Sequence, residues 1–193
     1  FADLQVLQDG SDKDGGSRVK LNRPITIYDL LTHTSGLGYG LDTLTPVDRL
    51  YQQEKMLRMD ESLAEKMPRL CRLPLHHQPG VRFTYSIAID VLGHIIELVS
   101  GQPLDVFLKQ RIFEPLKMTD TDFYVPREKL DRLASHYTLG KKGELVNLAS
   151  LDEKILPPYL TGLWINKSEK PRFLSGGGGL VSTAADFVRF TSM

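Results

Sequence analysis

The strongest constraint on the fold is an apolar repeat that starts just after Tyr85. Its members recur every three or four residues: Ala88, Val91, Leu92, Ile95, Ile96 and Val99. This spacing places them on one face of an amphipathic helix. Ser100-Gly101 predicts where the helix ends, because glycine readily takes the left-handed backbone of a helix C-terminus. Asp90 and Glu97 interrupt the repeat, and we expect both to face solvent.

The residues before this helix bring a tyrosine to its start. Pro79-Gly80 is a turn signal, and Ser86 is expected to cap the helix by accepting a backbone N–H bond. Tyr85 then lies at the junction with its phenol free to project. A phenol has an ordinary pKa of about 10 and becomes a useful base only where a neighbouring cation lowers that pKa. Without such a cation, Tyr85 is a half-buried tyrosine at a helix start.

A mainly helical region is predicted over residues 25–118. Three short helices precede Tyr85, and each begins at a capping signal. These signals are Thr26 with Asp29, Thr45 before Pro46, and Ser62 with Glu65. After the long helix, Pro103 starts another helix and Pro115 ends it.

Residues 119–172 are predicted to form short strands and loop. An extended segment at 122–125 and a brief polar helix near Glu128 precede a hairpin, which pairs residues 135–139 with 144–147. Residues 151–170 show no clear period and are interpreted as loop. Their Trp164 is open to two interpretations, an anchor in the core or an aromatic lid over a pocket.

The last segment, 173–193, contains four consecutive glycines, residues 176–179. Ordering them costs entropy, which a fold accepts where the backbone must pass close to something. A phosphate-binding loop is disfavoured, because Leu180 and Val181 follow instead of a Gly-Lys-Ser/Thr sequence. Thr183 with Asp186 is expected to cap a closing helix.

Composition excludes several kinds of protein. The chain is 41% hydrophobic with 24 basic and 24 acidic residues, which is typical of a globular domain and gives no basic surface for nucleic acid. It offers no membrane span, and its histidines lack a metal-ligand spacing, so we expect no metal and no cofactor. The single Cys71 cannot form an internal disulfide and slightly favours a reducing, cytoplasmic compartment.

Three stretches occur in order along the chain: Leu30-Leu31-Thr32-His33-Thr34-Ser35-Gly36-Leu37, Pro79-Gly80 with Tyr85-Ser86 and Leu92-Gly93, and Gly178-Gly179-Leu180-Val181-Ser182-Thr183 with Asp186. Taken together, they resemble the serine β-lactamase superfamily, in the branch of class C β-lactamases, family VIII carboxylesterases and D-alanyl-D-alanine peptidases. The resemblance implies a mixed α+β, penicillin-binding-protein-like fold. It also implies that the chain holds mostly the helical subdomain with part of the α/β domain.

The resemblance implies acyl transfer through an acyl-serine intermediate, on a small-molecule ester or amide. In that family the serine and lysine of a Ser-x-x-Lys motif act with a tyrosine, and Tyr85 matches the tyrosine. Ile87 stands where the family has asparagine, which favours a carboxylesterase over a β-lactamase or D-aminopeptidase. Ile87, Gly177 and Gly178 are expected to border the substrate. The alternative is a non-catalytic protein that uses this fold for binding or scaffolding.

The only Ser-x-x-Lys in the chain is Ser17-Arg18-Val19-Lys20. It is predicted to lie in a polar loop close to the Leu30–Leu37 block, whereas the family motif opens a buried helix well before that block, so we interpret it as a coincidence. We therefore expect the nucleophile before Phe1, the chain to be an internal piece, and the chain alone to be inactive. His33 and Ser35 are expected to be structural. The oligomeric state is left open.

Overall fold

Helices form most of the regular structure. The computed structural model describes residues 3–8, 17–41, 44–140, 142–151 and 170–193. The α-helices are α1 (Ile27–Leu31), α2 (Pro46–Gln53), α3 (Leu63–Leu70), α4 (Ala88–Ser100), α5 (Leu104–Leu108) and α6 (Ala184–Thr191). A π-helical turn, Lys109–Phe113, continues α5, and two 3-10 helices span Arg127–Arg132 and Leu148–Ser150.

Two antiparallel strand pairs accompany the helices. Strand β1 (Gln5–Gln8) pairs with β2 (Ser17–Lys20), and β3 (Tyr137–Leu139) pairs with β4 (Leu145–Asn147). The second pair confirms the predicted hairpin. The first corrects the prediction for Ser17, which lies in a strand and not in a loop. Since side chains alternate along a strand, Ser17 and Lys20 point to opposite faces and do not form a catalytic pair.

The caps predicted for the three short helices before Tyr85 are confirmed. Thr26 accepts the backbone N–H of Asp29 at 3.2 Å, and the Asp29 carboxylate accepts the backbone N–H of Thr26 at 2.8 Å. Ser62 and Glu65 form the same reciprocal box at the start of α3. Caps matter here because helices of five to eight residues, like α1 and α3, are marginal without them.

The core lies between the first half of α4 and the elements that precede it. Its largest fully buried side chains include Tyr51, Met56, Leu70 and Val91. The apolar repeat of α4 does not stay buried to its end: Leu98 is 70% exposed and Val99 is 84% exposed within the described residues. The apolar face of α4 is therefore buried only over its first half within the described residues.

The turn between α4 and α5 is fixed by a carboxylate. Gly101 ends α4 with a φ of 68°, as predicted. The Glu97 carboxylate accepts the backbone N–H of Leu104 at 3.1 Å, so Glu97 is partly buried and not on an open face as expected. Among the described residues no single helix is long and apolar enough to cross a membrane; α4 and Leu104–Phe113 meet that test only together, bent by 81°.

The segments after α5 are tied to the end of the chain. Asp122 and Val181 exchange backbone hydrogen bonds of 3.2 and 2.8 Å, which places the predicted 122–125 segment beside the residues that follow the glycines. Thr183 caps α6 as predicted. Most of the predicted 151–170 loop, with Trp164, lies outside the described residues.

Candidate functional site

Tyr85 projects from the start of α4 and is held by two aromatic neighbours. Its ring lies parallel to that of Tyr39, with 5.4 Å between ring centroids and 2° between planes. The imidazole of His33 lies 5.0 Å from the same ring, tilted by 35°. Tyr85 nevertheless remains 53% exposed. The phenol is therefore restrained by its neighbours and open to a ligand.

His33, which contacts Tyr85, has a left-handed backbone with a φ of 54°. The carbonyl of His33 accepts the backbone N–H of Thr84 at 2.8 Å, which ties the Leu30–Leu37 block to the residues before α4. Its Nδ1 lies 3.3 Å from the Ser86 hydroxyl. Burial lowers the pKa of His33, which favours a neutral imidazole.

Ser86 does not cap α4, which corrects the prediction from sequence. The N-cap position is Ile87, and no side chain caps the helix there. The Ser86 side chain is buried and its hydroxyl is at hydrogen-bond distance from His33. It therefore contacts the Leu30–Leu37 block and not the backbone of α4. Ser35 is also buried, and its hydroxyl accepts the backbone N–H of Leu37 at 3.4 Å, which supports the structural interpretation of that serine.

Ile87 is 1% exposed and belongs to the hydrophobic core. Its backbone N–H donates to the carbonyl of Gly38 at 3.1 Å, which fixes the chain just after Tyr85. The expectation that the Ile87 side chain borders the substrate is therefore wrong. Two residues after Tyr85 the chain has turned inward, so this side chain packs and does not line an open surface.

Two of the four glycines, Gly176 and Gly177, approach the first turns of α4. A Cβ on Gly176 would lie 2.8 Å from the carbonyl oxygen of Ile89, so a side chain there would collide with the helix backbone. A Cβ on Gly178 would meet nothing within 4 Å. The inference that the backbone passes close to another element is confirmed at Gly176, and the element is α4. Gly177 and Gly178 are both exposed.

Asp90 is the contact between α4 and the glycines. It is 1% exposed, so the expectation that it faces solvent is wrong. Its Oδ1 accepts the Ser175 hydroxyl at 2.6 Å and the backbone N–H of Gly177 at 3.2 Å. Burial raises the pKa of Asp90, an effect opposed by these two hydrogen bonds and by the charge of Lys66.

Lys66 is a fully buried cation next to this contact. Its Nζ donates to the carbonyls of Met56, at 3.0 Å, and Arg58. The same nitrogen lies 3.7 Å from the ring centroid of Phe173. Burial lowers the pKa of Lys66 to about 8, and the nearby carboxylate of Asp90 limits that decrease.

The sequence matches the family described as Beta-lactamase over residues 18–193. This chain belongs to the β-lactamase family. The resemblance found in the sequence is confirmed, and so is the predicted fold class, a mixed α and β fold of the β-lactamase and penicillin-binding-protein type.

Named relatives of this β-lactamase-family chain include esterases. It is 41% identical to Protein Rv1367c of Mycobacterium tuberculosis over 89% of its own length and 39% of that protein. It is 36% identical to Esterase EstB of Burkholderia gladioli over 86% of its length and 43% of the esterase. The solved structure of EstCE1, described as a hydrolase with promiscuous acyltransferase activity, superposes with a TM-score of 0.68 at 30% identity, over 92% of this chain and 46% of EstCE1. The chain thus spans about two fifths of the length of its relatives.

For this β-lactamase-family chain, the sequence analysis missed Lys66, although it carried a signal, and misplaced Asp90. Leu63, Lys66 and Leu70 share one face of α3 at helical spacing, so Lys66 stands where an apolar residue is expected. Asp90 lies on the face of α4 that contacts the glycine segment, and its partner there, Ser175, is 85 residues away in sequence. Helical periodicity reports that a face is apolar, but it does not report which distant segment covers a polar position.

One groove of this β-lactamase-family chain lies away from Tyr85. It has a volume of about 540 Å³ and is lined by residues from the 109–133 region and by Val181, Ser182 and Thr183. Tyr85, Gly177 and Gly178 do not line it. Within the described ranges, no three His, Cys, Asp or Glu side chains are grouped so that they could hold a metal ion.

Proposed function

We propose that the protein is a serine hydrolase of carboxylesterase type, in which Tyr85 is the tyrosine of a Ser-Lys-Tyr triad. One observation carries this proposal. In a chain of this family, the phenol at the matching position is half exposed and is held between Tyr39 and His33 at the start of α4. The serine and lysine are proposed to lie before Phe1 in a longer polypeptide, so the present chain alone is inactive.

In the proposed reaction Tyr85 moves one proton in each direction. Its phenolate oxygen, favoured by the lysine ammonium, takes the proton of the serine hydroxyl while the serine oxygen attacks the ester carbonyl. The phenol then returns this proton to the leaving alcohol as the ester C–O bond breaks, which leaves an acyl-serine. Water repeats the sequence and releases the acid. An alcohol in place of water would give a new ester, which is acyl transfer.

Two glycines are proposed to border the acyl or alcohol group of the substrate. Gly177 and Gly178 are solvent-exposed, and the space beside Gly178 is open. The absence of side chains there leaves room for a bulky substituent. The buried Ile87 cannot supply the polar contact of an asparagine at that position, which supports an ester substrate over a β-lactam.

Ile87 also favours a second candidate, a non-catalytic protein that uses this fold for binding. A hydrocarbon side chain packed in the core cannot take over the role of an amide in the site. In that case Tyr85 would be retained for its ring packing alone.

Labelling with a fluorophosphonate, read by intact mass and peptide mapping, tests these functions. We expect labelling of the full-length protein at a serine before Phe1, with turnover of nitrophenyl esters, and neither for the 193-residue chain alone. Tyr85→Phe should lower kcat by roughly 10²–10⁴-fold, the range for a lost general base, while the fold is retained. Labelling at Ser17 or Ser35 would contradict the placement of the site. No labelling of either protein would favour the binding function.

A further inference from the structure

Five positions in residues 170–177 contact three helices. Lys170 pairs with Asp105 of α5. Arg172 pairs with Glu65 of α3 at 2.7 Å. Phe173 covers Lys66 of α3, and Ser175 and Gly177 are both held by Asp90 of α4. The glycines therefore follow a well-anchored stretch, and the last anchor is Asp90.

The backbone N–H groups of the glycines are directed toward this anchor. Gly177 donates to Asp90 at 3.2 Å, Gly178 donates to the Ser175 hydroxyl at 3.2 Å, and Gly179 donates to the Ser175 carbonyl at 2.9 Å. Three consecutive donors are thus already used within the protein. Such a segment cannot act as an anion cradle, which requires free N–H groups. What it can offer a ligand is a surface of fixed shape.

We propose, on the basis of the function proposed above, that Asp90 is a positioning residue that sets the substrate selectivity of the Tyr85 site. Asp90 lies in the first turn of α4, five residues after Tyr85, and its carboxylate joins that turn to the glycine segment. Asp90 is thus the buried side chain that ties the glycine segment (residues 175–179) directly to the helix that carries Tyr85 at its start. A firm contact gives a wall of fixed position, and that wall limits the size of the acyl group that fits.

The other charged or titratable groups around Asp90 do not replace this contact. Lys66 of α3 is close enough to interact with the Asp90 charge, but its Nζ donates to the carbonyls of Met56 and Arg58. His33 and Tyr39 also interact with that charge, yet their rings pack on Tyr85. Ser175 and Gly177 are the groups that hydrogen bond to Asp90 from the glycine segment.

The geometry supplies a matched control. A single oxygen, Oδ1, accepts both hydrogen bonds from the glycine segment. Asparagine keeps one carbonyl oxygen of the same reach, so Asp90→Asn should preserve the anchor, whereas Asp90→Ala removes it. Ser175→Ala is a milder change, since it removes the 2.6 Å hydrogen bond and frees the N–H of Gly178 but leaves Asp90 in place.

Hydrogen exchange and ester kinetics of the full-length protein test the proposal together. In Asp90→Ala and Ser175→Ala we expect amide exchange of residues 177–179 to accelerate at least tenfold, with α4 protected as in the wild type. We also expect the ratio of kcat/KM for nitrophenyl octanoate over acetate to change at least fivefold, mainly through KM. Asp90→Asn should restore both values. If Asp90→Ala does not fold, Ser175→Ala decides.

Two results would overturn the proposal. Unchanged exchange at residues 177–179 would show that Asp90 does not anchor the segment. Faster exchange with an unchanged octanoate to acetate ratio would show that the anchored segment is not the wall of the site. Exchange is measured without turnover, so a wild-type protein that hydrolyses no ester would reject the proposed function separately from the anchor.

Discussion

The phenol rings of Tyr85 and Tyr39 lie parallel, with 2° between their planes and 5.4 Å between their centroids. Such a pair contributes about 0.5–1.5 kcal/mol beyond the area that it buries. Burial raises the pKa of Tyr39 above its ordinary value, so this ring stays neutral at neutral pH and acts through packing. Tyr39 therefore restrains the ring that the proposed reaction uses.

Two substitutions of Tyr39 should distinguish the contribution of its ring to turnover from that of its hydroxyl. We expect Tyr39→Ala to lower kcat of the full-length protein by about tenfold, which corresponds to about 1.4 kcal/mol of lost orientation. Tyr39→Phe keeps the stack and should remain within about twofold of the wild type on the same scale. Steady-state kinetics with a nitrophenyl ester measures both. Equal losses in the two variants would mean that the hydroxyl, and not the stack, is what Tyr85 needs.

The imidazole of His33 is the second ring that contacts Tyr85. Because the His33 backbone is left-handed, two different substitutions there are informative. Asparagine tolerates a φ near the observed 54°, whereas alanine does not. His33→Asn should remove the imidazole with little strain, and His33→Ala should lose about 1 kcal/mol more of unfolding free energy. Both should lower ester turnover equally if the ring positions Tyr85. Urea unfolding and kinetics on the two variants separate backbone strain from ring contact.

Local signals predicted what depends on near neighbours. The capping pairs Thr26 with Asp29 and Thr183 with Asp186 were readable because each joins residues three apart in sequence. Ser86 carried the same type of signal, but no cap forms. Its hydroxyl lies instead within hydrogen-bond distance of His33, which is 53 residues away in sequence. Asp90 was misassigned for the same reason, since its partners are 85 and 87 residues away. Tertiary partners decide the use of a polar side chain that local sequence leaves open.

The buried Lys66 should make stability depend on pH in the alkaline range. Its pKa is lowered from 10.5 to about 8, so the unfolded chain binds more protons than the folded chain between these values. The free energy of unfolding should therefore rise as the pH increases from about 8 to 10.5, by an amount on the order of 3 kcal/mol from this group.

Comparison with Lys66→Met isolates this effect from other groups that titrate in the same range. Methionine fits the cavity left by the lysine stem and carries no proton, so the rise between pH 8 and 10.5 should be absent from the variant. The carbonyls of Met56 and Arg58 lose a donor, which lowers stability by a constant amount at every pH. Guanidinium unfolding at five pH values measures both terms. Parallel curves for the two proteins would contradict the burial of a protonated amine.

Gly80 forms the turn that leads to Tyr85, and Gly101 provides its matched control. Both have a left-handed backbone, with φ of +83° and +68°. A Cβ on Gly101 meets nothing within 4 Å, so Gly101→Ala should cost only the backbone term, about 1 kcal/mol. A Cβ on Gly80 would lie 2.3 Å from the guanidinium of Arg23, which holds the buried carboxylate of Asp29 at 2.6 and 2.8 Å.

Gly80→Ala should therefore displace the partly exposed guanidinium of Arg23 and cost more than Gly101→Ala does, since it disturbs the ion pair with Asp29 as well as the backbone. A double-mutant cycle tests this explanation: in an Arg23→Ala background the collision is gone, and Gly80→Ala should cost no more than Gly101→Ala does. Urea unfolding of the four proteins and of Gly101→Ala provides the values. If Gly80→Ala lowers the free energy of unfolding by the same amount with and without Arg23, the cost of a side chain at position 80 comes from the backbone alone. The collision with the guanidinium would then contribute nothing.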